Sequence, residues 1–241
     1  MDYREKFYIR YVSGNTEPLY GKMTIEDIKK QFAVWNAYFF KFLPKNKQAS
    51  IIELGCGNGG LVYWLQNLGY SNASGIDVSP EQVDCAKKIG IKNISNGNLM
   101  NFIKNKEDFY DAVFLRDVLE HFKKDEIIEI MDMIYRSLKK GGKLIIQTPN
   151  SAGIFGGRYR YHDFTHELSF TENSLRQIML ISSFSILGFY ETMPVIYGLK
   201  SFIRSILWKF LRIIMQFFIL VETGAIEKVL TQNIIAVGYK K

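Results

Sequence analysis

Seven consecutive residues, Glu53-Leu54-Gly55-Cys56-Gly57-Asn58-Gly59, follow the apolar pair Ile51-Ile52 and precede a helical pattern that starts near Gly60. A strand, a glycine turn and a helix N-terminus in succession commit the chain to an α/β unit with a ligand at the turn. Glycines let the backbone bend through positive φ and approach a ligand closely, while the free N–H groups and positive dipole end of the helix favour anionic groups. Gly55, Gly57 and Gly60 also satisfy the dinucleotide pattern G-x-G-x-x-G, and Asp77 follows at about the distance from which an acidic residue holds a ribose. The glycines alone therefore leave a nicotinamide or flavin ligand open.

Glu53 discriminates. A carboxylate at the end of the first strand repels a nearby pyrophosphate but suits a ligand carrying an ammonium group, as S-adenosylmethionine does. Three further motifs follow in order: Gly75-Ile76-Asp77-Val78-Ser79, then Asp111-Ala112-Val113 with Val118-Leu119-Glu120-His121, then Lys140-Gly141-Gly142. With these four matches, spanning about residues 50 to 148, the chain resembles the class I S-adenosylmethionine-dependent methyltransferases. The resemblance implies that Gly55, Gly57 and Gly59, with Cys56 and Asn58 between them, wrap the methionine end of S-adenosylmethionine. It also implies that Glu53 binds the amino group directly or through water, and that Asp77, followed by Val78, accepts both ribose hydroxyls. Gly97-Asn98-Leu99 stands where many relatives have Gly-Asp. Asn98 retains a carbonyl acceptor for the adenine amino group, and Leu99 is expected on the adenine face. Leu115 and Arg116 are expected at the methionine moiety, because open α/β sheets hold ligands at the carboxyl edge.

At 241 residues and 47% hydrophobic, the chain can bury one sizeable core. Two cysteines, Cys56 and Cys85, form no disulfide framework, and the charged start Met1-Asp2-Tyr3-Arg4-Glu5-Lys6 lacks the apolar run of an export signal, so a cytoplasmic protein is expected. The net charge of +7 is not gathered into Lys/Arg blocks, and no nucleic-acid partner is expected.

Alternating patterns predict a helix over 24–43 capped by Thr24, strands over 50–54, 73–77, 94–96, 111–115 and 143–148, and helices over 60–68 and 125–138. Ser79-Pro80-Glu81-Gln82 reads as a capping box with proline first. The resemblance adds a sixth strand at 184–190 and an antiparallel seventh at 233–239. The expected fold is a doubly wound, Rossmann-like, seven-stranded α/β sheet, mostly parallel, with a helical insertion before the last strand. The expected organisation is one domain over 1–241: an N-terminal helical segment 1–48, the cofactor core and acceptor loop 49–195, the insertion 196–231 and the final strand 232–241.

All three histidines, His121, His162 and His166, follow the fourth or fifth strand, where an acceptor would approach. The stretch Asp163-Phe164-Thr165-His166-Glu167, with Phe170-Thr171 and Ser174-Leu175-Arg176 after it, is similar to methyltransferases found with bacterial capsule and lipopolysaccharide sugar biosynthesis. That similarity implies a small-molecule or glycan-precursor acceptor. A sugar hydroxyl needs its proton taken, a task for His166 or His162 oriented by Asp163 or Glu167, whereas a phosphate-type oxygen needs no base. His121, His162, Asp163, His166 and Glu167 are metal-ligand types, but no tight motif fixes their geometry and no metal is expected.

The segment 198–221 is apolar but interrupted by Lys200, Arg204, Lys209 and Arg212, which leaves uncharged stretches well short of the ~20 residues of a membrane span. Ser201, Arg204, Ser205, Lys209, Arg212 and Gln216 share one sector of a helix opposite Phe202, Ile203, Ile206, Leu207, Phe210, Phe217 and Leu220. Such a basic amphipathic helix either lies in an anionic membrane interface or packs against the catalytic domain or a second copy.

Overall fold

A computed structural model describes residues 2–14 and 23–241. The chain opens with α1 (Tyr3–Ile9), α2 (Ile25–Lys30) and α3 (Phe32–Phe39), then enters the sheet with β1 (Ile51–Leu54), α4 (Gly60–Asn67), β2 (Ala73–Asp77), α5 (Pro80–Lys88) and β3 (Ile94–Asn96). It continues through α6 (Leu99–Ile103), β4 (Tyr110–Arg116), α7 (Lys124–Ser137), β5 (Leu138–Pro149), α8 (Gly156–Arg160) and α9 (Glu172–Ile181). It closes with β6 (Ser185–Glu191), α10 (Leu199–Thr223) and β7 (Asn233–Tyr239).

The seven strands run in the order β3-β2-β1-β4-β5-β7-β6, and β7 is antiparallel to both of its neighbours. The other paired strands are parallel. This is the expected doubly wound, Rossmann-like sheet, with α10 between the sixth and seventh strands. β1 lies between β2 and β4, so the chain winds outward in one direction and then in the other. The carboxyl ends of these three strands frame the crevice where such sheets hold ligands.

Helices cover both faces, which is why the central strands read as continuous apolar runs. On β4, Val113 and Leu115 pack with α7 and α9 on one side, and Ala112 and Phe114 pack with α3 and α4 on the other. Burying each large apolar side chain contributes about 1.5–3 kcal/mol. Lys143 to Pro149 register against Tyr239 to Asn233, which locks the antiparallel edge.

The predicted helix over 24–43 is interrupted at Gln31, whose N–H bonds Ile28 O three residues back at 3.0 Å and tightens the turn before the helix restarts. The Thr24–Asp27 capping box forms as read. Only half of the second forms: Ser79 Oγ accepts the Gln82 N–H at 3.4 Å, while the Gln82 side chain turns toward the glycine turn instead of back to the cap. The sequence reading passed over α1, α6 and α8, helices of five to seven residues too short to show a clear period.

Candidate functional site

A cavity of about 750 Å³ opens at the carboxyl ends of β1, β2 and β4. Its floor is the glycine turn. Gly55, Gly57 and Gly59 take φ of +73°, +52° and +75°, a run of left-handed residues that side chains resist. At Gly55 space is closed as well, because a Cβ there would lie 2.2 Å from Val118 Cγ2.

Asp77 holds this turn against β2. Its Oδ2 accepts the Gly57 N–H at 2.7 Å and its Oδ1 the Ser79 N–H at 2.8 Å, which leaves one lone pair on each oxygen facing the cavity. Burial raises its pKa, and the two backbone N–H groups oppose that rise. Asn98 spends one carbonyl lone pair on the Asn101 N–H at 3.1 Å, capping α6, and still lines the cavity beside Leu99. Cys56, Asn58, Val78 and Arg116 line it too. Burial pushes the Cys56 thiol well up, so it stays protonated.

Three of the expected cofactor contacts sit behind the wall. Leu115 is fully buried in the core, and Gly59 caps α4 without lining the cavity. Glu53 is also fully buried: its Oε1 accepts Arg116 Nε at 3.2 Å, while its Oε2 has no partner among the described residues. Arg116 stands between Glu53 and the cavity, with its guanidinium 5.8 Å from the Trp35 ring. Burial drives the Glu53 pKa up to about 7 against the opposing pull of Arg116.

The histidines separate. His162 is exposed and stacks on Tyr159 at 6.1 Å between centroids, away from the cavity lining. His121 lines the cavity, and His166 packs edge-on against it at 4.8 Å. Asp163 does not orient His166 by direct contact. Its Oδ1 accepts the Thr165 N–H at 2.8 Å and the Thr165 hydroxyl at 2.7 Å, and that hydroxyl lies 2.9 Å from His121 Nδ1. Since the Thr165 proton goes to Asp163, its oxygen accepts from the imidazole, and His121 is held as the Nδ1–H tautomer. His166 Nδ1 lies 3.1 Å from Tyr159 O, an acceptor only, so His166 is held in the same tautomer. Burial lowers both pKa values, that of His121 to about 4. Glu167 points elsewhere and accepts the Tyr3 hydroxyl.

Sequence reasoning missed the roof. Arg4 forks onto Glu126 at 2.7 and 2.8 Å and reaches His121 O at 3.2 Å. Phe7 stacks on Phe164 at 5.4 Å, and Glu81 accepts the Val12 and Ser13 N–H groups at 2.7 and 2.9 Å. α1 is thereby tied to α7, α5 and the acceptor loop, and it brings Arg4, Tyr8 and Tyr11 to the cavity. Gln82 was also missed; its Oε1 has no partner among the described residues. The aromatic–basic spacing of residues 3–11 was the available signal, but its partners are more than a hundred residues away.

Residues 28–187 match the family model described as a methyltransferase domain. The chain is 30% identical over 102 residues to the ribosomal protein L11 methyltransferase of Lactobacillus gasseri, covering 41% of this chain and 31% of that protein. It is 29% identical over 131 residues to the mitochondrial ubiquinone biosynthesis O-methyltransferase of Dictyostelium discoideum, covering 46% of this chain and 40% of that one. It thus spans about a third of the length of the curated relatives it matches. A SAM-dependent methyltransferase from Archaeoglobus fulgidus superposes with a TM-score of 0.65 at 18% identity, covering 99% of this chain and 100% of that chain, a likeness of fold.

Proposed function

The chain belongs to the methyltransferase domain family; from that premise we propose that it is an S-adenosylmethionine-dependent methyltransferase that O-methylates a hydroxyl of a bacterial surface-polysaccharide precursor at the cytoplasmic side of the membrane. The observation that carries the reading is the acceptor loop Asp163–Glu167, which packs His166 edge-on against the cavity-lining His121 and ties His121 to Asp163 through the Thr165 hydroxyl.

In this reading the ribose hydroxyls donate to the free lone pairs of Asp77, the adenine amino group donates to Asn98 beside Leu99, and the methionine end lies along Gly55–Gly59. Glu53 acts on the ammonium group through water, past Arg116. The acceptor oxygen bonds to the methyl carbon as the sulfur–carbon bond breaks, its electron pair stays on sulfur as a thioether, and the hydroxyl proton leaves through the His121–His166 corner. Alignment and exclusion of water supply most of the rate, which is the service of a roof such as α1. His162 takes no part.

α10 supports a membrane setting. Phe202, Ile206, Leu207, Phe210 and Phe217 are exposed, with Lys200, Arg204 and Lys209 among them. That combination suits the interface of an anionic bilayer. No helix among the described residues is long and apolar enough to cross one. The same exposed face, and partial similarity to an enzyme named for ubiquinone biosynthesis, favour a lipid or quinone hydroxyl as the second reading.

The test is transfer of labelled methyl from S-adenosylmethionine to nucleotide-sugar and lipid-linked glycan fractions, with quinone precursors assayed in parallel. Transfer to the glycan fractions is expected, and Asp77→Ala should abolish it together with cofactor binding in calorimetry. Transfer to quinones alone selects the second reading. Tight cofactor binding without any transfer overturns both in favour of a noncatalytic cofactor-binding protein.

A further inference from the structure

Glu120, His121 and His166 each bring one ligand-type atom to within 4.8 Å of the others, at the edge of the donor cavity. We propose that this cluster binds a divalent first-row transition ion, of the class of Mn2+, Fe2+, Co2+ or Zn2+, and that the bound ion takes up the acceptor oxygen. The second clause rests on the hydroxyl-methylation reading above; the first does not.

The two imidazoles are prepared as ligands. A histidine binds a cation through an unprotonated ring nitrogen and is usually oriented by a hydrogen bond from the other nitrogen to a carbonyl or carboxylate. Here His166 gives its Nδ1–H to Tyr159 O at 3.1 Å, and His121 gives its own to Thr165 Oγ1 at 2.9 Å, backed by Asp163. Neither Nε2 has a hydrogen-bond partner among the described residues.

Glu120 makes the same case from the carboxylate side. Its side chain is buried; Oε2 accepts the Thr148 hydroxyl at 3.0 Å, and Oε1 has no partner among the described residues. No Lys or Arg of the described residues pairs with it. A buried carboxylate without a cation is costly unless it is neutralised by a proton or a metal. Its backbone is fixed as firmly: Glu120 O accepts the Glu167 and Leu168 N–H groups at 2.8 and 3.0 Å, so one clamp positions ligands from two loops.

Donor type selects the ion. Two imidazole nitrogens and one carboxylate oxygen favour borderline first-row ions over the all-oxygen sites of Ca2+ or Mg2+. Asp117, which lines the same wall, sits at φ +55°, and Gln147 Nε2 donates to both its oxygens at 3.0 and 3.1 Å. That strained backbone holds a second carboxylate beside the cluster. With the ion in place the imidazoles are ligands and not bases: the ion lowers the pKa of the hydroxyl bound to it, the proton passes to water at the His121–His166 corner, and the alkoxide attacks the methyl carbon while sulfur leaves with the bonding pair.

The experiment titrates Mn2+ into chelator-treated protein and follows the free-ion signal by electron paramagnetic resonance, with S-adenosylhomocysteine binding measured on the same samples. One Mn2+ per chain is expected. Glu120→Gln and His166→Ala should each weaken it about tenfold or more, and His162→Ala should leave it unchanged. Unaltered S-adenosylhomocysteine affinity reports that the variants are folded. Absence of saturable Mn2+ and Zn2+ binding, or binding indifferent to both ligand variants, overturns the site. If Mn2+ binds as expected but neither chelation nor readdition changes methyl transfer, the second clause fails alone. If no methyl transfer is found at all, the proposed function fails while the metal site stands.

Discussion

Glu53 shows how one residue can be legible in sequence and still be miscast in detail. Its carboxyl type and its place at the end of β1 identified the donor class, but its burial beneath Arg116 is a property of the packed sheet. The same burial makes a prediction. In the unfolded chain Glu53 keeps the ordinary value near 4.5, whereas in the fold burial, opposed by Arg116, pushes it up to about 7. The folded state therefore holds the proton more tightly, and Glu53's contribution to stability is full below about pH 4.5 and is lost as the pH rises through 7. Glu53→Gln is expected to be more stable than the parent at pH 8 by up to about 3 kcal/mol, at 1.36 kcal/mol per unit, with the gap closing toward pH 5 in urea melts. A variant less stable at pH 8 would show that the Arg116 ion pair outweighs desolvation. Asp77 and Gly55 were legible because their tasks are local: a carboxylate two residues from the Ser79 N–H, and a turn that only glycine makes cheaply. Gln82 was not, since nothing near it in sequence shows what it faces.

At the scale of elements, α10 departs most from its reading. Part of the polar sector faces the domain: Ser201 and Ser205 are buried, Arg212 pairs with Glu191 at 3.0 Å, and Gln216 Nε2 donates to Glu227 O at 2.5 Å, while Arg204 and Lys209 stay exposed. The apolar sector is turned outward, so packing of that face against the chain's own catalytic domain is excluded. Periodicity identified the two faces but could not say which one the domain takes, because the answer lies in Glu191 and Glu227, outside the helix. Phe210 and Phe217 are each 62% exposed. Replacing both with Glu should change unfolding stability by no more than about 0.5 kcal/mol, as surface substitutions do, while abolishing flotation with phosphatidylglycerol vesicles. Retained flotation would refute the membrane reading. Loss of a dimer in sedimentation, with no vesicle binding by the parent, would assign the face to a second copy.

For the whole molecule, binding at the centre of the sheet couples elements distant in sequence. The cavity is walled by β1, β2 and β4 and roofed by α1, which is anchored on α7 by Arg4 and on α5 by Glu81. A ligand there stabilises the folded state by mass action, about 2.7 kcal/mol at a hundred times its Kd. S-adenosylhomocysteine at that level should raise the thermal midpoint by roughly 5–10 °C at about 2–4 °C per kcal/mol. Asp77→Ala should remove the shift, as read by differential scanning calorimetry. A shift that survives in Asp77→Ala would place the ligand elsewhere.

The amino-acid sequence by itself determined the alternation of strands and helices, the glycine turn, the donor class and the general place of the acceptor loop. Each depends on near neighbours: residue periodicity, left-handed glycines and caps within one helical turn. Tertiary structure alone decided that Arg116 covers Glu53, that α1 roofs the cavity, that α10 turns its apolar face outward, and that Glu120 and His121 meet His166 some forty-five residues on. Those arrangements depend on which chain segments the crossovers of the sheet bring together, and local sequence carries no record of that choice.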